Sequence, residues 1–159
     1  MRTLSIGTCA AAALLLAAAT PAASQGRVCP DPARPCAGFR AHDLSFVLPQ
    51  RGPVRAEHRS APFYAVLLRS SAPCAIPEAE RAAAQAAFPR SKVFSARFEC
   101  DGDVENNVTY TAVDPRVGFL AVYAGETRAA ALAFLERVRA TGRFPGANLR
   151  RMRVVRVTA

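Results

Sequence analysis

Lysine is almost missing from this chain: of its 21 basic residues 20 are arginine, and only Lys92 is lysine. With so much alanine beside it, that skew points to a GC-rich bacterial genome. Arginine here does not by itself mark sites built for bidentate binding. Histidine is nearly as scarce, with His42 and His58 only. Both lie in a proline- and arginine-rich stretch, away from any cluster of serine or cysteine with acidic residues, so the ingredients of nucleophilic catalysis are not gathered anywhere. Acidic residues number 12, and the candidates for acid–base work are Asp101, Asp103 and Glu105 at an expected hairpin tip, with Asp114. A turn rich in Asp and Glu is ordinarily a solvated turn. Asp101-Gly-Asp103 also lacks the later ligands of a calcium loop. The sequence therefore predicts no catalytic residues, no metal site and no cofactor.

Long apolar runs are also lacking. Ala10–Ala19 is too short to span a bilayer. With Arg2 before it and Ala22-Ala-Ser24 after it, residues 1–24 have the form of an export signal. Cys9 precedes the apolar core, whereas a lipoprotein cysteine follows it. The expected location is the periplasm of a Gram-negative bacterium, or the medium, with no transmembrane segment in the mature chain. Loss of Arg2 would leave 20 basic and 12 acidic residues, about +8. For an exported protein the matching anions are lipid headgroups, acidic glycans and peptidoglycan, not nucleic acid.

Cys29, Cys36, Cys74 and Cys100 remain after processing, an even number suited to two disulfides in an oxidising compartment. Three connectivities are possible. Cys29–Cys36 with Cys74–Cys100 is favoured, because each bridge then stays within one segment. A metal site on Cys29, Cys36 and His42 would need gaps that match no common zinc pattern.

Residues 25–61 read as an extended Pro/Arg-rich arm. Leu44, Phe46 and Leu48 alternate within it as a strand would, either to dock the arm or to offer an added strand to a protein partner, as an inhibitor would. The domain proper is expected over 62–159. Phe63–Arg69 reads as a strand apolar on both faces, and a helix opens at Pro77 with Glu78 and Glu80 in its first turn. Lys92–Glu99 alternates, Phe94, Ala96 and Phe98 against Ser95, Arg97 and Glu99. Val104–Val113 returns as an extra strand. Phe119–Gly125 is an apolar strand, and Thr127 caps a helix ending at Gly142, with Ala131, Leu135 and Val138 at i, i+4, i+7. Leu149–Val157 closes the chain as a strand. This order predicts an α+β fold, a ferredoxin-like split βαβ sandwich with two helices on one face of an antiparallel sheet.

Tyr123-Ala-Gly125, Thr127-Arg128 and Ala129–Val138 resemble the second half of a SPOR (sporulation-related repeat) domain. Phe63–Ser70 and the helix after Pro77 resemble the first half more loosely. Ser-Ser-Ala-Pro-Cys74 stands where that family has a glycine-containing turn, and the Val104–Val113 strand is additional. The resemblance implies two βαβ halves and binding of peptidoglycan, as glycan strands lacking stem peptides, through the sheet and nearby loops.

Alternation places Arg69, Ser95, Arg97, Tyr123, Arg151 and Arg153 on the sheet face opposite the helices. Arginine and tyrosine there could hydrogen-bond sugar hydroxyls and stack on a ring. The expected function is thus an exported, non-catalytic module binding peptidoglycan or another envelope glycan. The pair Val154-Val155 breaks the alternation, as a bulge would.

Overall fold

The computed structural model describes residues 26–31, 42–48, 56–96 and 107–157. The expected signal segment, Cys36, Arg97, Cys100 and the acidic residues Asp101, Asp103 and Glu105 lie outside these.

Four strands form the main sheet: β2 (Phe63–Ser71), β3 (Val93–Ser95), β5 (Gly118–Gly125) and β6 (Asn148–Met152), in the order β3-β5-β2-β6 with every neighbouring pair antiparallel. Helix α1 (Glu78–Ala87) connects β2 to β3, and α2 (Arg128–Ala140) connects β5 to β6. Each helix-linked strand pair is therefore parallel and separated by one strand of the other pair. That is the split βαβ topology expected from the order of elements.

Helix α2 forms where its local signals place it. The Thr127 hydroxyl accepts from the Ala130 amide at 3.3 Å, satisfying one amide of the first turn. Ala131, Leu135 and Val138 are its buried stripe. Gly125 (φ 113°) ends β5 and Gly142 (φ 66°) ends the helix, both in backbone that a side chain would strain. Thr127→Ala is expected to cost about 1 kcal/mol, lowering the thermal midpoint by a few degrees in calorimetry. Helix α1 is thinner in its contacts, burying only Ala84. Gln85 ties it to the sheet: its side-chain carbonyl accepts from the Val93 amide at 2.9 Å, and its amide donates to the carbonyls of Phe88 and Ser91.

Both helices pack on one sheet face, over Val66, Leu68, Val93, Leu120, Val122 and Ala124. The other face is covered too. A second, three-stranded sheet, with order β1-β7-β4, consists of β1 (Glu57–Arg59), β7 (Val154–Val157) and β4 (Val108–Tyr110). The arm completes this layer. Val28 and Phe46 form an antiparallel bridge, and Val28, Leu44 and Phe46 are buried against Phe63, Phe94, Phe119, Tyr123 and Met152. Main-chain bonds fasten the arm at its edge, from the Lys92 amide to the Pro30 carbonyl (2.8 Å) and from the Ser95 amide to the His42 carbonyl (3.0 Å). Of the two roles open to Asp43–Leu48, the described contacts match docking onto the domain. Leu44 and Phe46 are buried in that contact, Leu48 is half-buried and Val47 is exposed.

The extra strand expected between the two halves is present at Val108–Tyr110, but it belongs to this covering sheet. The expected closing strand Leu149–Val157 is two strands. It leaves the main sheet at Met152, turns at Arg153 and enters the second sheet at Val154. Met152 and Val154 thereby face the same core, which is why the valine pair breaks the alternation. Strands that change sheets do so at such corners.

Candidate functional site

The expected ligand face is a dry core rather than a surface. Phe94 sits at its centre, 0% exposed, with ring centroids of Phe63, Tyr110 and Phe119 at 6.1, 5.0 and 5.9 Å. The Tyr110 hydroxyl accepts from the Leu44 amide at 2.9 Å, so even the polar tip of this cluster is spent on the arm.

The residues expected to point there are dispersed. Ser95 is 1% exposed and lies on the helical side, paired with Leu120, with its hydroxyl 3.3 Å from the Arg81 guanidinium of α1. The two faces of this strand are the reverse of those expected, Phe94 lying away from the helices. Arg69 is displaced by a bulge: Leu67 pairs with Ala121 but Arg69 with Leu120, so Leu68 is the extra residue. Arg69 consequently faces α1 and pairs with Glu80 at 2.6 Å. Arg151 pairs with Tyr64, on the helical side of edge strand β6, and its neighbour Arg150 takes the far side opposite Ala65.

Tyr123 is on the expected face but 9% exposed, stacked on Phe63 at 5.6 Å. Burial raises its phenol pKa, helped by the Glu126 carboxylate and opposed by Arg27. Arg27 of the arm and Glu126 form an ion pair at 3.2 Å. Arg153 holds the corner between the sheets. Its guanidinium donates to the Ser60 carbonyl at 2.8 Å and its amide to the Thr111 hydroxyl at 2.8 Å. Cys29 and Cys74 take part in disulfides.

Among the acidic candidates, Asp114 is exposed and clasped by Arg116, whose hydrogen bonds hold its carboxyl below the usual carboxylate range. Lys92 shows the opposite balance: burial lowers its pKa and the Asp43 carboxylate resists.

Among the described residues, aromatic and unpaired basic side chains gather on the helical side. Phe88 at the end of α1, Phe134 on α2 and Phe144 beyond α2 form a half-buried aromatic trio, with Phe88 5.7 Å from Phe134 and 6.0 Å from Phe144. Arg137 lies 5.2 Å over the Phe134 ring and Arg143 5.7 Å from that of Phe144. Such cation–π proximity favours a guanidinium beside the ring without using its N–H donors. Arg90, Arg128 and Arg151 are also exposed on elements of this side. Among the described residues none of these five arginines has a carboxylate partner, whereas Arg139 pairs with Glu136 at 3.3 Å. Sequence reasoning passed over this patch because Phe134 and Arg137 fall inside the helix expected from Thr127 to Gly142, and Arg143 and Phe144 lie beyond it. The i, i+3 spacing of an aromatic and an arginine on one helix face is the signal that was available.

No family model matches the chain, and no match is found among curated proteins or solved structures.

Proposed function

We propose that this protein is an exported, non-catalytic module of the cell envelope that binds an acidic envelope glycan, peptidoglycan in the first instance. The contact surface is the arginine–phenylalanine patch on the helical side. The observation that carries this proposal is the pair Arg137 and Arg143, each against an aromatic ring and neither matched by a carboxylate among the described residues. Guanidinium edges suit the hydroxyls and carboxylates of such polymers. A formal net charge of +9 over the full chain draws the protein toward them. The export signal read at 1–24 supplies the compartment.

Co-sedimentation of the mature protein with isolated cell-wall sacculi tests the proposal. Arg137→Glu/Arg143→Glu is expected to weaken pelleting roughly tenfold or more, as the loss of two charge-assisted contacts would. Both side chains are exposed, so circular dichroism of the variant should match that of the unaltered protein. A protein that stays in the supernatant at moderate salt, or a double variant that pellets as well as its parent, would refute it.

A further inference from the structure

A cleft of about 420 Å³ lies across the molecule from that patch, at the end of the main sheet that the covering layer leaves open. Its floor is Leu67 of β2 and Phe119 of β5, both on the sheet face away from the helices. Val113 and Val117, each half-buried, form its wall. The volume falls at the lower end of the range for small-ligand sites, about 300–1,000 Å³.

The wall is built in advance. Ala112 holds φ 62°, a left-handed conformation that is unfavourable for a non-glycine residue, and such outliers persist where surrounding contacts impose them. Here the contacts are visible. The Thr111 amide donates to the Arg153 carbonyl (3.1 Å) while the Arg153 amide donates to the Thr111 hydroxyl (2.8 Å). On the other side of Ala112, the Val117 amide closes a turn on the Asp114 carbonyl at 3.1 Å, and the Asp114 carboxylate accepts from the Arg116 amide at 2.9 Å.

The rim carries a charge to match. Asp114 is at the rim, but its carboxylate is engaged by the Arg116 guanidinium at 3.2 Å through both oxygens. Arg150 and Ser70 stand exposed on the sheet side of the same mouth, and among the described residues Arg150 has no carboxylate partner. An apolar floor and wall, one unmatched cation and one hydroxyl donor at the mouth describe a complement to a short apolar chain ending in a single negative charge.

We infer that this cleft binds a small amphiphilic anion, with its apolar chain on Leu67 and Phe119 and its charged head at Arg150 and Ser70. Sodium octanoate is the probe, titrated into the mature protein while the methyl resonances of Leu67, Val113 and Val117 are followed by NMR. Saturable shifts confined to these methyls are expected, with octanol binding more weakly for want of the charge. Arg150→Gln, an exposed position whose change leaves the core intact, is expected to weaken octanoate about tenfold and to leave octanol unchanged. Octyl phosphate separates a carboxylate-selective site from one that accepts either head, and both outcomes support the inference. Absence of saturable shifts at these methyls, equal affinity for octanol and octanoate, or undiminished octanoate binding by Arg150→Gln would overturn it. None of these readouts depends on sacculus binding.

Discussion

Deleting residues 26–48 is expected to abolish the cooperative fold instead of trimming off an appendage. Val28, Leu44 and Phe46 are buried in the core on the far side of the main sheet, and full burial of such side chains contributes about 1.5–3 kcal/mol each. A domain's net stability is only about 5–15 kcal/mol. The deletion also removes the amide that the Tyr110 hydroxyl accepts, and opens Phe63, Phe94 and Tyr123 to water. Near-UV circular dichroism and urea denaturation report the result: the aromatic signal should collapse and the sigmoidal transition should disappear. Cys29 departs with the segment, so Leu44→Ala in the intact chain is the matched control. That variant should cost about 2–5 kcal/mol. A truncated protein that unfolds at the same urea concentration as its parent would show the arm to be separable.

Phe94→Ala is expected to be the most damaging single substitution in the main sheet, at about 3–5 kcal/mol. The ring is inaccessible to water and meets three other aromatic rings edge-on or tilted. Its removal leaves a cavity between two sheets that are each anchored elsewhere and cannot readily close on it. For a domain of this size the thermal midpoint should fall by roughly 10–20 °C. A loss below about 1 kcal/mol in denaturant titration would mean that water or rearranged side chains fill the space, and that the far face is not a dry core. Either way the measurement bears on ligand placement, because a glycan cannot reach a face whose central side chain is buried by the protein itself.

The covering of that face had a trace in the sequence. Phe119–Ala124 is apolar without interruption, and β5 is buried at every residue but its last. A strand covered on one face alternates, whereas one covered on both does not. Phe63–Leu68 is apolar on both faces for the same reason. Alternation in Val93–Ser95 was legible as well, but period two tells only that Phe94 and Ser95 point oppositely. It does not say which of them meets the helices. The bulge at Leu68 compounds this, since one extra residue moves Arg69 to the other face without altering the local composition.

What the sequence determined by itself is local chemistry and order. Thr127 and Gly142 bound a helix whose stripe of Ala131, Leu135 and Val138 is visible at helical spacing, Gly125 ends the strand before it, and two strand–helix–strand segments in succession lead to the split βαβ sheet. The third layer becomes legible only in the folded molecule. It is assembled from the three-residue strands β1 and β4, the end of the chain at β7, and the arm. Strands so short have no stability alone, and their partners are remote in sequence, so neither propensity nor periodicity registers them. Their reason for ordering is the apolar far face of the main sheet, which exists only once that sheet has formed. The same event that completes the core closes the expected glycan surface, and among the described residues leaves the helical arginines and the cleft beneath Ala112 exposed.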